Sequence, residues 1–243
     1  MKKVNFSIII PALHEADKIN SLVEHLEGLR SIQDAELIVV DGDPNGDTIQ
    51  VIRSKTVRKM IAPKGRARQM NAGALAADGE ILIFLHADTE LPANALRMIN
   101  SAMAQGRYVG GAFELGIDSH RIEFKILARW ASLRCRLTGI PYGDQAIFIK
   151  SAYFNTLGGY KDIPLMEDVE LMRRIRRRGD KICIVTEQVR TSPRRWEQEG
   201  FVYVNARNAF LFFSYILGVS PVPLLYRFCL PSSLSSSLIR HLP

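Results

Sequence analysis

The sequence predicts one α/β domain, built on a mixed, mostly parallel sheet with helices on its faces. Three observations support this prediction. Short apolar runs alternate with segments of helical periodicity through the first half of the chain. The run 81–85 is unbroken and apolar, which is typical of a strand buried on both faces of a parallel sheet. Hydrophobic residues make up 47% of the 243 positions, enough for a sizeable core.

In the first half, strands and helices alternate, so we expect right-handed crossovers between parallel strands. The expected strands cover residues 6–10, 36–40, 57–62 and 81–85. The expected helices cover residues 17–29, 47–54, 65–77 and 92–104. Pro92 near a first helical turn and Gly106 just past the last one are typical helix boundaries.

The second half is less regular. Expected strands cover residues 109–117, 145–149 and 182–185, and expected helices cover 122–137 and 167–178. The segment 209–226 has no charged side chain, but Gly218, Pro221 and Pro223 interrupt it. Because a membrane span needs roughly 20 apolar residues, a packing helix is favoured, while interfacial membrane contact and a true span stay open. The serine-rich residues 232–243 are expected to be disordered.

Charge and cysteine content narrow the class of protein. The net charge of +7 permits an anionic partner, either a nucleic acid, an acidic membrane surface or a phosphorylated small molecule. Cys135, Cys183 and Cys229 lie far apart and form no metal-ligand or redox spacing. We therefore expect free thiols in a reducing compartment, which favours a cytoplasmic location.

Acidic residues follow three of the expected strands. The first strand leads through Pro11 to Glu15, the second ends at Asp41, and the strand 81–85 leads to His86 and Asp88. Ligands of open α/β sheets bind beyond the carboxyl ends of the strands. A helix cap or turn explains any one of these acids, but three at one edge suit a metal ion or a nucleotide.

Further charged residues stand at helix starts. Arg66 begins a helix, where free N–H groups and the dipole attract anions, although a solvated basic turn is an equal alternative. Glu167 and Asp168 open another helix, where they are either simple caps or a general base. The Arg195–Trp196 pair is suited to phosphate and sugar contact or to plain surface packing.

Taken in order, seven short motifs resemble the inverting family-2 glycosyltransferases. The motifs are Ser7–Glu15, Ile38–Gly42, Gly65–Gly73, Phe84–Asp88, Gly143–Gln145, Met166–Asp168 and Arg194–Trp196. The resemblance implies the GT-A fold, in which a Rossmann-like nucleotide-binding half merges with an acceptor-binding half. We expect this domain to span residues 1–231. Its nucleotide-binding half would cover about 1–110, its acceptor half about 111–200, and an apolar C-terminal segment 201–231.

The resemblance also implies roles for the donor-binding residues. Pro11, Glu15 and Asp41 would line the nucleoside pocket, with Asp41 facing the base, and Arg66 would lie near the diphosphate. Asp88 matches the last carboxylate of the family's DxD motif, which holds a divalent metal, Mn²⁺ or Mg²⁺, on the diphosphate.

Other positions match the family's catalytic machinery. Asp168, next to Glu167, matches the base that activates the acceptor. Arg195 and Trp196 match the end of a QxxRW-like motif that also contributes to the donor site. His86 stands where the family has the first acid of DxD, so it would contact the nucleotide or lie behind the metal.

The predicted function is metal-assisted transfer of a sugar from a nucleotide-diphosphate sugar to an acceptor hydroxyl, with inversion. The long transmembrane bundle of processive synthases is missing, which favours a non-processive enzyme. The apolar segment favours a lipid-linked acceptor and peripheral contact with the inner face of a membrane.

Three alternatives stay open at this point. A nucleotidyltransferase would need a glycine-rich loop after the first strand, which is not there. A phosphatase would use Asp41 and Asp43 but would leave the later acids without a role. A noncatalytic basic module would use the run Arg173–Arg178. We expect a nucleotide sugar, and no nucleic acid, as the partner.

Overall fold

A mixed sheet organises the computed structural model, which describes residues 5–217 of the chain. Within these residues the eight strands lie in the order β3-β2-β1-β4-β7-β6-β8-β5. The strands are β1 Phe6–Ala12, β2 Ala35–Asp41, β3 Val57–Ile61, β4 Ile81–Phe84, β5 Thr89–Glu90, β6 Gly110–Ile117, β7 Ile147–Lys150 and β8 Ile182–Thr191.

Helices connect and flank these strands. They are α1 Ile19–Glu27, α2 Asp47–Gln50, α3 Arg66–Ala76, α4 Ala95–Met103, α5 Ile122–Thr138, α6 Ser151–Leu157, α7 Glu167–Arg177, α8 Arg194–Glu199 and α9 Phe201–Ile216. Short 3₁₀ turns cover Ile32–Asp34 and Gly143–Gln145.

The nucleotide-binding half predicted from the sequence contains a parallel sheet, β3-β2-β1-β4. All seven residues of β1 are buried, as expected for an apolar run covered on both faces. The register places Asp41 beside Ala12 of β1 and Ile61 of β3. The carboxyl ends of these strands therefore form one edge, from which the following loops project.

The second half of the sheet mixes directions. Strand β7 pairs antiparallel with β4 and β6, β6 pairs parallel with β8, and β5 pairs antiparallel with β8. Gly110 and Gly111 make the close approach of β6 to its neighbours possible. A Cβ on either glycine would lie 2.4 Å from a backbone oxygen of Phe148 or Cys183. The predicted α/β class and mostly parallel sheet are confirmed.

The described residues fall into two compact units. The first contains residues 5–162 and Glu167–Ser192, with the whole sheet and α1 to α7. The second contains Ile163–Met166 and residues 193–217, with α8 and α9. In the second unit Arg207 forms an ion pair with Glu199 and lies 5.4 Å from the ring centroid of Tyr203. The predicted boundary at residue 231 stays a prediction.

Several element predictions need correction. Helix α4 begins at Ala95, not Pro92, and β8 extends to Thr191 because it continues to pair with β6 and β5. Strand β5 and helices α6 and α8 were not predicted, because they are short and carry no distinct periodicity. Helix α9 begins well before the apolar segment 209–226, of which residues 218–226 lie outside the described part, as does the tail 232–243.

Membrane and thiol predictions can also be compared with the structure. Within residues 5–217, no helix is long and apolar enough to cross a bilayer. Cys135 and Cys183 are free thiols, and burial raises the pKa of each to about 11. Such thiols are poor nucleophiles at neutral pH. Cys229 lies outside the described residues.

Candidate active site

Asp41 occupies the carboxyl end of β2 and is fully buried. Its Oδ1 accepts a hydrogen bond from the N–H of Asp43 at 2.9 Å. Its Oδ2 accepts from the N–H groups of Thr48 at 2.8 Å and Ile49 at 3.1 Å, at the start of α2. Asp41 therefore holds the loop and caps α2. Its predicted contact with a nucleotide base stays a prediction.

A buried amide that the sequence reading missed joins the same edge. Gln69 Nε2 donates to the backbone oxygens of Ala12 at 2.7 Å and Val40 at 2.8 Å. These atoms lie at the carboxyl ends of β1 and β2. Helix α3 therefore fixes the spacing of the two strands where the predicted nucleoside pocket begins. The available signal was a glutamine among the small and apolar residues of that helix.

The loop after β1 carries the other predicted nucleoside residues. Pro11 is buried within β1, and the half-buried Glu15 donates its N–H to Thr48 Oγ1 at 3.2 Å. His14 adopts a left-handed backbone conformation, with φ of +56°, and its Nδ1 lies 2.7 Å from Asp47 Oδ2. This hydrogen bond raises the pKa of His14.

One ligand atom each from His14, Asp43 and Asp47 lies within 4.8 Å of the other two. Among the described residues this is the one group of three potential metal ligands that meets this spacing. It lies at the ends of β1 and β2, not at Asp88, and the sequence reading did not predict it. The His14 side chain is 64% exposed, so these groups are also consistent with a solvated polar cluster.

Arg66 lies at the start of α3, as predicted, but it already has a partner. Its Nε is 3.1 Å from Glu167 Oε1, and the Glu167 side chain is 3% exposed. Burial lowers the pKa of Arg66, but the charges of Glu167 and Asp168 outweigh this effect, so the pKa is raised. Burial raises the pKa of Glu167, and the positive charge of Arg66 opposes that rise. Glu167 therefore positions Arg66.

Asp168 receives hydrogen bonds from two backbone groups. Its Oδ2 accepts from the N–H of Gly143 at 2.6 Å, and its Oδ1 accepts from the N–H of Val169 at 2.7 Å. A Cβ on Gly143 would lie 2.8 Å from His86 Nε2 and 3.4 Å from Asp168 Oδ2. The structure therefore brings three predicted motifs together, with Gly143 between His86 and Asp168.

Asp88 lies between β4 and β5 and is half-buried. Its backbone oxygen accepts from the N–H of Ser192 at 3.0 Å, which ties the loop to the end of β8. Its carboxylate accepts one long hydrogen bond, 3.4 Å from Thr89 Oγ1. The charge of Asp88 contributes to the raised pKa of Asp144 and of Arg66, so these groups belong to one electrostatic site.

Asp144 is a site residue without a predicted role, although it lies in the motif Gly143–Gln145. Burial, followed by the negative charge of Asp168, raises its pKa to about 6. Among the described residues, its buried Oδ1 has no hydrogen-bond partner. An unpartnered buried carboxylate oxygen is costly, so its retention suggests a functional reason.

Arg134, which is close enough to influence the pKa of Asp144, carries a second unpartnered atom. Within the described part of the chain its Nη2 is buried without a hydrogen-bond partner. Its guanidinium lies 3.7 Å from the ring centroid of Tyr142 and lowers the pKa of Asp144. A hydroxyl group can accept a hydrogen bond from a guanidinium and donate one to a carboxylate. The pair is therefore suited to a substrate hydroxyl or a water molecule.

Arg195 and Trp196 lie on α8, in the second unit. Trp196 Nε1 donates to Asn205 Oδ1 at 3.5 Å, a contact within that unit. Their predicted contribution to donor binding stays a prediction.

This fold and this edge of acidic residues define the class of protein. Residues 7–154, more than half of the chain, match the glycosyl transferase family 2 profile. The chain therefore belongs to glycosyl transferase family 2. Membership favours the glycosyltransferase interpretation over a nucleotidyltransferase, a phosphatase or a noncatalytic module. No curated protein sequence matches the chain.

Solved structures share the architecture and confirm the GT-A fold. S. aureus TarS residues 1–349 align with a TM-score of 0.61 and 14% identity, over 84% of this chain and 63% of that one. The TarS complex with UDP-GlcNAc aligns with a TM-score of 0.60 and 13% identity, over 77% of this chain and 58% of that one. Mannosyltransferase PcManGT of Pyrobaculum calidifontis was solved in complex with GDP-Man and Mn²⁺. It aligns with a TM-score of 0.60 and 20% identity, over 77% of this chain and 56% of that one. The chain thus spans less than two thirds of each of these structures.

Proposed function

We propose that this chain transfers a sugar from a nucleotide-diphosphate sugar to an acceptor hydroxyl, with inversion at the anomeric carbon. The observation that carries the proposal is the position of Asp168, oriented by Gly143 in the same acidic site as Asp88. Family membership supports glycosyl transfer as the reaction class. Two structural relatives were solved with nucleotide sugars, which supports that class of donor.

Asp168 acts as the general base. It takes the proton of the acceptor hydroxyl while the hydroxyl oxygen attacks the anomeric carbon. The new carbon–oxygen bond forms on the face opposite the bond to the diphosphate, which breaks, so one displacement inverts the centre. The two backbone N–H groups fix the orientation of the carboxylate, and general-base help of this kind is typically worth about 10²–10⁴-fold.

Asp88 is the proposed protein ligand of a divalent ion, Mn²⁺ or Mg²⁺. Its donor chemistry fits, because hard cations prefer carboxylate oxygens. Its carboxylate accepts one long hydrogen bond among the described residues and so keeps free lone pairs. When bound, such an ion would neutralise charge on the departing diphosphate. Mn²⁺ in the PcManGT complex supports a divalent ion without choosing between the two metals.

The remaining predicted residues surround the donor. Pro11, Glu15 and Asp41 form the nucleoside side of the pocket, and Arg66, held by Glu167, faces the diphosphate. Positive charge near a leaving group stabilises the transition state. His86 completes the nucleotide contacts of this unit, as proposed from the family motif, and the role of Arg195 and Trp196 stays a prediction.

Arg134 and Asp144 bind a hydroxyl of the transferred sugar in this proposal. The support is chemical complementarity. A phosphate would satisfy Arg134 but be repelled by Asp144, and a cation would do the reverse. A hydroxyl has the donor and the acceptor that the two residues call for. The turn that carries Asp144 also carries Gly143, so the proposed sugar contact adjoins the proposed base.

The acceptor hydroxyl is proposed to belong to a lipid-linked or membrane-near molecule. The support is apolar exposure on α9, where Val202 is 79% and Phe213 62% exposed. Solvent-exposed aromatic and aliphatic side chains on a helix favour contact with an interface.

A thermal-shift screen tests the donor proposal. The full chain is heated with UDP-, GDP-, ADP- or TDP-sugars, with and without Mn²⁺. Because a ligand that binds the native state raises the melting temperature, one donor should raise it, more strongly with Mn²⁺. The matched control is Asp118→Asn, an exposed carboxylate that should respond like the wild type. No shift with any of these donors would contradict the proposal.

A further inference from the structure

Helix α5 exposes a continuous row of large apolar side chains. Its members, here called the α5 stripe, are 49–77% exposed: Ile122, Ile126, Trp130, Leu133 and Leu137. Their spacings of four, four, three and four residues place them within an arc of roughly 80° on a helix. The opposite face buries Phe124, Ala128, Ser132 and Cys135. The exposed row is therefore not the face that packs against the core.

A row of cations borders the α5 stripe. Lys125, Arg129 and Arg136 are exposed and follow one another on the same side of the stripe. Arg136 also forms an ion pair with Glu114 of β6. Within α5 the one acidic residue is Glu123, which pairs with Arg121. The outer surface of α5 thus combines an apolar stripe with a positive border.

The positive border distinguishes between possible occupants of the stripe. A second copy of the chain, docked stripe to stripe, would bring no row of acidic residues to the border, because the one acidic residue of α5 pairs with Arg121. A surface with an apolar interior and negative head groups would satisfy the stripe and the border together. Interfacial membrane helices have this arrangement, with Trp and Leu on one face and Lys and Arg beside it.

We propose that the α5 stripe docks the protein on the surface of an anionic lipid bilayer. The 17-residue helix would lie parallel to the surface over about 26 Å. Trp130 and its neighbours would enter the head-group region. Lys125, Arg129 and Arg136 would contact lipid phosphates, with their alkyl stems along the apolar layer.

The location of α5 gives this docking surface a consequence for the site. Helix α5 ends at Thr138, and after Gly139, with φ of +64°, the chain leads to the turn Gly143–Gln145. That turn donates the hydrogen bond to Asp168. A bilayer bound to α5 would therefore contact the helix that leads directly into the candidate active site. The docking does not depend on glycosyl transfer.

Vesicle flotation of the full chain tests the proposal. Vesicles of phosphatidylcholine alone are compared with vesicles that also contain phosphatidylglycerol. We expect binding to the anionic vesicles, and a loss of at least about 10-fold in the I126S/W130S variant because two apolar anchors are removed. The matched control is Leu75→Ser on α3, where a 90% exposed leucine lies outside the stripe. Equal binding by both variants would overturn the proposal.

The positive border has its own variant. K125Q/R129Q should weaken binding to anionic vesicles by roughly 10-fold and reduce its dependence on salt, because each cation near such a surface adds attraction. Unchanged salt dependence would show that these cations do not face lipid.

Fluorescence identifies the surface that touches the bilayer. The chain has two tryptophans, so Trp196→Phe leaves Trp130 as the sole reporter. We expect a blue shift of its emission on vesicle binding, and quenching by brominated lipids. Binding without quenching would assign the contact to another apolar segment and overturn the proposal. A second result would also overturn the proposal. In that case light scattering detects a dimer of the wild type, and the I126S/W130S variant is monomeric but still binds vesicles. The melting temperature of each variant is measured as well. An unchanged value shows that a loss of vesicle binding does not come from misfolding.

Discussion

The backbone N–H of Gly143 donates a 2.6 Å hydrogen bond to Oδ2 of Asp168. The bond joins the turn before β7 to the first residues of α7, two segments 25 positions apart. Because it orients the proposed base, the geometry of the turn and the activity of Asp168 should be coupled.

Gly143→Ala tests this coupling. A Cβ at this position would lie 2.8 Å from His86 Nε2, so the imidazole or the turn must move. We expect turnover to fall by roughly 10-fold, because small displacements of a catalytic group are costly. In a His86→Ala background the added methyl group has space, so Gly143→Ala should lower turnover little further. If Gly143→Ala lowers turnover equally in both backgrounds, its effect does not come from contact with the His86 imidazole.

Asp168→Asn should separate binding from chemistry. The amide keeps the size of the side chain but cannot take the acceptor proton, so turnover should fall by about 10²–10⁴-fold. Donor affinity, measured by calorimetry, should stay within a few-fold. Asp162→Asn, at a 57% exposed carboxylate paired with Arg68, is the control. Normal turnover in Asp168→Asn would remove it from the role of base.

Asp88→Asn distinguishes the two candidate metal positions. If Asp88 holds the divalent ion, this change should abolish the increase in donor affinity that Mn²⁺ causes. Asp47→Asn disrupts the group of His14, Asp43 and Asp47, and it should leave the increase in donor affinity intact. Calorimetric titration of the donor with and without Mn²⁺ gives both values. The reverse pattern would move the ion to the loop after β1.

Asp144→Asn should change the pH dependence of stability. The folded pKa of Asp144, about 6, lies above its ordinary value of 3.8, so burial penalises the charged form. For such an acid, stability is present at low pH and is lost as pH rises from about 4 through 6. The variant lacks this loss, so it should be more stable than wild type at pH 8 by on the order of 3 kcal/mol. Near pH 4 the two should be alike.

The check is denaturant unfolding of both proteins at several pH values. Titrating groups far from Asp144 are common to both chains and cancel in the difference. A difference that is constant with pH would show that the Asp144 carboxyl titrates normally in the folded protein.

Gln69→Leu should loosen the edge that joins β1 and β2. The variant removes the amide that donates to Ala12 and Val40, and we expect a loss of about 1–2 kcal/mol. Gln69→Glu should cost more, because a carboxylate would face two carbonyl oxygens in a buried site. Thermal unfolding ranks the three proteins. If Gln69→Leu is as stable as the wild type, the two strands hold their spacing without the Gln69 amide.

Local patterns were sufficient to predict most of the sheet and the positions of its polar ends. The apolar run of β1 and the strand 81–85 have a length and composition that few other structures accommodate. Asp41, Asp88 and Asp168 followed from their places at strand ends and a helix start. Short elements such as β5 gave no signal, because two residues carry no periodicity and the pairing with β8 is a distant contact.

The residues alone were enough to predict which strands are buried, that their carboxyl ends share an edge, and which acids lie at that edge. Apolar periodicity is a local property of the chain, which is why these features could be predicted. Only contacts between distant segments place Gly143 against Asp168 and leave buried atoms of Asp144 and Arg134 without a hydrogen-bond partner among residues 5–217. The tertiary structure also decided that one face of α5 faces solvent. Such features depend on register and on burial between distant segments, which local composition does not encode.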